Sequence, residues 1–346
     1  MKNLFTTFLF VLALATTLTG QAQTIRRVNN SGLVIAGVNI YSTLQAAHDA
    51  ASANDIIYLE PTSNTYGSLI CVRPLTIIGN GYFLSQNPGL QLDLRDSQTD
   101  LITFANGSAG SRITGCVISS MNIGASNITV ERNRINSTFY VGYNPAIGSV
   151  GVNNILIRQN YLNDVNFYPG STAATAVNSV IVNGNIIIVG IGTPTQQFTR
   201  LGSILISNNV VGPLNGFGGG IDVDNAVIKN NILTETRVTA NFPPRSNAFS
   251  NNISGNIAFG TANGNQQNIA PSSIFVGGTA STDGAFVLRT GSPAIGTGES
   301  GTDVGAFGGT IPYRIAGIPN VPSIYQFNQA VSGNSLNGTI STRSNN

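Results

Sequence analysis

The sequence predicts an all-β chain wound as a parallel β-solenoid of about ten coils, opened by a short capping helix. Three observations lead there. An eight-residue core ending in Asn-x-apolar recurs along the chain, and its third position is apolar while its fourth is polar. Charged residues are only 9% of the chain, too few for the polar faces of long surface helices. The spacing of the cores leaves no room for a helix between them.

Residues 1–22 read as a secretory signal. Lys2 supplies the positive start, an apolar run extends from Leu4 to Leu18, and Gly20-Gln21-Ala22 is a small-x-small cleavage site that puts the mature start near Gln23. The apolar run is about 15 residues, shorter than the roughly 20 a membrane-spanning helix needs. The mature chain is therefore expected outside the cell or on its surface, with no transmembrane segment. A net charge of +2 without a basic stripe excludes nucleic acid as a partner. With 41% hydrophobic residues, the chain has enough apolar surface to fold.

Ser42-Thr-Leu-Gln45 reads as a capping box that opens an Ala-rich helix through Ala51. Leu44, Ala47, His48 and Ala51 fall on one face, suited to covering the open end of the first coil. Asp55-Ile-Ile-Tyr-Leu59 then starts the sheet.

The cores carry Asn133, Asn160, Asn185, Asn209, Asn231 and Asn252, spaced 27, 25, 24, 22 and 21 residues apart. Asn80 fits the same frame, and Cys116 fits with Cys in place of Asn. The third positions are Val130, Ile157, Val182, Ile206, Ile228 and Phe249; the fourth are Glu131, Arg158, Asn183, Ser207, Lys229 and Ser250. One side chain in and the next out is strand logic. Equivalent asparagines on coils roughly 4.8 Å apart form a column, each amide donating to one neighbour and accepting from the other. Asn also tolerates left-handed backbone at a tight bend. Glu131 beside Arg158 is expected to be a cross-strand pair worth a few tenths of a kcal/mol.

Asn80 and Cys116 are 36 residues apart, which reads as two short coils with Leu101-Ile-Thr-Phe104 between them. Cys71 and Cys116 would then be roughly 9–10 Å apart, beyond the about 7 Å a disulfide allows, and remain buried thiols. Residues 23–316 form one elongated domain, roughly 50 Å long. Residues 317–346 are a polar, Pro-containing cover on the last coil, or a linker.

The run 41–51 with Asn54-Asp-Ile-Ile-Tyr-Leu59, together with Ser292-Pro-Ala-Ile-Gly296 and Asp303-Val-Gly-Ala-Phe307, resembles pectin-lyase-like right-handed parallel β-helix proteins, over about residues 35 to 310. The resemblance implies a right-handed coil and a choice between polysaccharide-cleaving enzymes and surface proteins. The hydrolase branch uses paired aspartates, a His and Arg-x-Lys. This chain has a single His, His48 in the cap helix, no Asp-Asp pair, and no arginine two places before Lys229. The lyase branch uses calcium-holding carboxylates and a base. Asp222 and Asp224, at i and i+2, are the metal candidates, with Lys229 or Arg200 as base or uronate clamp. The alternative is that the aspartates simply end a strand. Phe242-Pro-Pro-Arg245 after Arg237 faintly resembles the Arg-Pro segment of pectate lyases, but its spacing departs and carries nothing over.

Aromatics follow the cores: Phe139, Tyr140 and Tyr143, then Phe167 and Tyr168, then Phe198, Phe217 and Phe242. Stacked coils would line them along one flank, either as a sugar-binding face or as columns inside the solenoid. The function expected is a secreted, non-catalytic monomer that binds polysaccharide or another extended partner at the cell surface through Tyr140, Tyr143, Tyr168, Arg158, Arg200 and Lys229. It needs no cofactor. The alternatives are a calcium-dependent lyase of acidic glycans and a structural stalk or adhesin element.

Overall fold

The computed structural model describes residues 23–32, 37–194, 198–212, 220–234, 246–278 and 280–345. The expected signal at 1–22, and Phe217, Arg237, Phe242 and Arg245, lie outside these residues. Two long parallel sheets dominate, one of eleven strands and one of ten. The chain alternates between them. Arg112–Thr114 lies in the first and Val117–Ile123 in the second; Val152–Arg158 returns to the first and Tyr161–Phe167 to the second. This is the connectivity of a solenoid-like, all-β fold. No helix among the described residues is long and apolar enough to cross a membrane.

Register follows the repeat. The third positions Val130, Ile157, Val182, Ile206, Ile228 and Phe249 pair in succession, all but Phe249 fully buried. After each asparagine the second sheet stacks Ile135, Leu162, Ile187, Val211 and Leu233 in the same way.

The six asparagines form one buried column. Each donates its backbone N–H and its Nδ2 to the Oδ1 of the next: Asn160 to Asn185 at 2.9 and 2.9 Å, Asn185 to Asn209 at 2.9 and 2.9 Å, Asn209 to Asn231 at 2.9 and 3.0 Å. Nδ2 also reaches back to the third-position carbonyl of the preceding coil, as Asn209 does to Val182 at 2.9 Å. The ladder starts where Cys116 N–H donates to Asn133 and runs one rung beyond the expected six, to Asn265. The left-handed residue at the bend is not the ladder asparagine but the one before it: Gly115, Arg132, Gln159, Gly184, Asn208, Asn230, Asn251 and Gly264 all have φ between 53° and 76°. Asn80 stays out of the column. Its side chain turns to the carbonyls of Asp93 and Arg95, and its N–H goes to Ser97.

The capping helix spans Leu44–Ala50 and its N-cap is Thr43 rather than Ser42, because the Thr43 hydroxyl accepts from Ala46 N–H. Leu44, Ala47, His48 and Ala51 are buried as expected. Gln45 Oε1 accepts from Ile70 N–H, and His48 Nε2 accepts from Val72 N–H, so the helix supplies partners to the edge strand Leu69–Cys71. The first sheet also begins earlier than expected, with Ile25–Val28 pairing Ile56–Leu59, and Ile40–Tyr41 at the margin.

Between Asn80 and Cys116 there is one coil, not two. Thr76–Ile78 pairs directly with Arg112–Thr114, and the surplus length forms an outward excursion before Gln98–Phe104. Leu101 to Phe104 belongs to the second-sheet strand of that same coil, stacked between Leu69–Cys71 and Val117–Ile123. Cys71 therefore stacks on Phe104, while Cys116 heads the asparagine column on another wall. Both thiols are unbonded and buried, and burial pushes both above the usual thiol range.

After Ile253–Ser254 the chain runs back along the outside of the bends. The side chains of the left-handed residues hold it: Asn251 donates to Thr297 O, Asn230 accepts from Glu299 N–H, Gln159 donates to Pro312 O, and Arg132 donates to Ile318 O. The strap covers an outward apolar column of Tyr161, Ile186, Val210, Ile232 and Ile253 with Ala294, Val304, Ala306 and Tyr313. Residues 317–345 thus do not lie on the last coil. They end in an antiparallel hairpin, Ser323–Ser332 with Ser335–Arg343, which touches Gly89 and Leu92 near the early coils.

Replacing Asn209 by Leu would strand Val182 O and Asn185 N–H in the core, each worth about 1–3 kcal/mol. Denaturant unfolding should show a loss of roughly 3–5 kcal/mol in total; an unchanged transition would remove the ladder from the stability argument. Alkylation of the denatured, unreduced protein should add two groups by intact mass, one per buried thiol; no addition would mean a bridge.

Candidate functional site

The tyrosines come together. Tyr140 points outward from Phe139–Val141, whose flanking residues Phe139 and Val141 are buried. Tyr168 follows the buried Phe167 one coil on. Tyr143 is swung back over them by Gly142 (φ 87°), where a Cβ would meet Val177 at 2.5 Å. Tyr143–Asn144 then pairs with Gly148–Ser149 in a small hairpin. The three rings meet edge to face at centroid distances of 5.4, 5.4 and 4.9 Å, and each is half-buried. The other aromatics divide: Phe139 and Phe167 are core, and the Phe198 side chain lies outside the described residues.

The outward column through Tyr140 can be followed by register. Thr103, Asn122, Tyr140, Asn166 and Gly192 pair in turn, and the adjoining pair Ile191 and Ile221 sets Asp222 beside Gly192. Asp164, next to Asn166, accepts from Phe139 N–H at 3.0 Å, and burial raises its carboxyl above the ordinary range.

The basic residues do not join this flank. Arg158 and Lys229 share a column on the first sheet, linked through Asn183 and Ser207. Arg158 pairs with Glu131 Oε2 at 2.6 Å, and Lys229 pairs with Glu299 of the strap at 2.5 Å. Arg200 ends the turn Phe198–Arg200, just before Leu201 pairs with Val177. Asp222 and Asp224 both face outward, between the buried Ile221, Val223 and Ala226. Asp224 Oδ1 accepts from the N–H groups of Asn225 and Ser246, both at 2.8 Å, which is the work of a turn-end residue. Among the described residues, no three His, Cys, Asp or Glu side chains gather where they could hold a metal ion. His48 is buried in the cap. Its Nε2 accepts a backbone proton and its Nδ1 faces Asp49 at 2.8 Å.

Glu131 is more than the surface pair expected from sequence. It is buried, and its other oxygen is held by Arg112 from the preceding coil. Burial on its own pushes the carboxyl up; the hydrogen bonds and charges of Arg112 and Arg158 outweigh it and hold the group below the usual carboxylate range. The sequence signal available was an acid with an arginine one coil away on either side.

No protein-family model, curated protein or solved structure matches the chain. The segments quoted for the family resemblance can be located in the fold. Of these, 292–296 and 303–307 fold onto each other through Gly296 N–H to Asp303 and Val304 N–H to Ala294 O, both at 2.9 Å.

A carboxyl depressed by folding adds stability above the unfolded carboxylate range, and that stability is lost as pH falls through the folded value. Glu131→Gln should therefore cost roughly 2–3 kcal/mol at pH 7, with the gap to wild type closing below about pH 4. Unfolding measured across pH checks this, and a gap independent of pH would contradict it.

Proposed function

We propose that the chain is a secreted or surface-held right-handed parallel β-helix of the pectin-lyase-like class that binds polysaccharide without cleaving it. The observation that carries this is the cluster of Tyr140, Tyr143 and Tyr168, half-exposed and in mutual contact on one flank. Ring faces held in place by edge-to-face packing suit the apolar faces of sugars, because little ordering remains to be done on binding. The half-exposed Asn166 continues the column on one side with its amide, while Asn122 and Thr103 on the other side are buried. The lyase reading lacks such support: Arg158 and Lys229 lie on the other sheet in ion pairs, and Asp224 is spent on a turn.

A polysaccharide array should detect binding by the mature protein. Each of Tyr140→Ala, Tyr143→Ala and Tyr168→Ala should weaken it by about fivefold, the equivalent of one stacking contact. Polygalacturonate and alginate should yield no unsaturated products, with or without calcium. Cleavage, or binding indifferent to all three substitutions, would defeat the proposal.

A further inference from the structure

We infer that the carboxyl-terminal hairpin is a self-association surface, on which a second copy of this chain packs its own hairpin face to face. The hairpin pairs Ser323–Ser332 with Ser335–Arg343 and turns at Gly333, left-handed at φ 60°. Its base is tied to the early coils. Leu92 N–H donates to Ile324 O at 2.9 Å, and the Arg343 guanidinium donates to Gly89 O while its Cζ lies 4.5 Å from the centre of the Tyr325 ring. Beyond that base the hairpin stands clear: every residue whose burial is described from Gln326 to Ile340 is exposed. A two-stranded hairpin on its own is marginal in water, so a ribbon of this length gains most from being covered.

The two faces of the ribbon differ. Register puts Phe327 opposite Ile340, Gln329 opposite Gly338 and Val331 opposite Leu336. Alternation sets these six on one face, and the Phe327 ring reaches over Gly338, where a Cβ would sit 3.4 Å from its Cε2. Phe327, Val331, Leu336 and Ile340 are 46, 77, 68 and 59% exposed. The opposite face carries Asn328, Ala330, Asn337 and Thr339. The chemistry of the apolar face selects its occupant. From Ser323 to Thr342 no residue is charged, so a charged partner finds no counter-charge here. One ring, three aliphatic side chains and a single amide give a sugar few anchors. A second copy brings the same apolar, charge-free face, which is the composition of a homodimer interface core. The area is sufficient: nine residues per strand make the face about 30 Å long, and two such faces packed about 10 Å apart would remove on the order of 1,000 Å² from water, where specific interfaces begin. A single copy, the state expected from sequence, leaves this face bare.

Sedimentation velocity on the mature protein over a concentration series tests this, with thermal melts confirming that the coils of each variant fold. Wild type should pass from monomer to dimer with a dissociation constant on the order of micromolar, the range of a small interface. Phe327→Ser and Leu336→Ser should each weaken the dimer by about tenfold or more, because a two-fold pair loses each side chain twice. Asn328→Glu, on the polar face, should leave it unchanged. Gln329 lies at the middle of the apolar face, so a two-fold axis there brings both copies of it together. Gln329→Glu and Gln329→Lys should each disperse the dimer, and an equimolar mixture of the two should restore it. A wild type that stays monomeric at about a hundredfold the expected dissociation constant would overturn the proposal. So would a dimer indifferent to Phe327→Ser and Leu336→Ser, which would place the contact elsewhere. Growth beyond two copies would replace the closed pair with open-ended pairing of strand edges, and a mixture that stays dispersed would exclude the two-fold face-to-face arrangement.

Discussion

Every coil must turn a sharp corner inside a dry core, and backbone groups at such a corner cannot reach a partner within their own strand. The asparagine column answers this need. One side chain takes the N–H of the coil behind it, gives to the Oδ1 of the coil ahead, and satisfies a third-position carbonyl as well. The left-handed residue just before it sets the angle. With the corner fixed, the strands on either side fall into register without further instruction, and the inward columns of Val, Ile and Leu follow. The variable loops are free to differ because nothing in the corner depends on them.

The same corner has an outer side. A left-handed residue directs its side chain away from the core, and here Asn251, Asn230, Gln159 and Arg132 spend theirs on the backbone of the returning strap. One position of the repeat thus shapes the bend from within and fastens a second layer from without. This is why that position varies among Gly, Asn, Gln and Arg while the ladder position beside it stays Asn from Asn133 to Asn265.

The repeat made the coils, the register and the column legible, because periodic side chains report periodic contacts. The cap face at Leu44, Ala47 and His48 was legible for the same reason. What escaped was whatever broke the period. The outward excursion after Asn80 read as an extra coil, since length alone does not tell a loop from a turn of the solenoid. The strap has no repeat, and its contacts span most of the chain. In the site, the loop aromatics were visible as residue types, but their division into Phe inside and Tyr outside followed from the alternation of Phe139–Val141.

A bare solenoid is close to a one-dimensional array, in which each coil depends on its neighbours and ends can fray independently. The strap changes that. Residues near the carboxyl end lie against coils from Asn251 down to Arg132, so fraying in the middle must also peel a segment anchored at both sides. Opening becomes concerted. During synthesis the order is reversed: coils stack as they emerge, with Tyr161, Ile186, Val210 and Ile232 bare on their outer face until the last fifth of the chain arrives. The nascent protein carries a temporary apolar stripe that the strap later conceals, and that stripe stays open to wrong contacts for as long as the strap is missing.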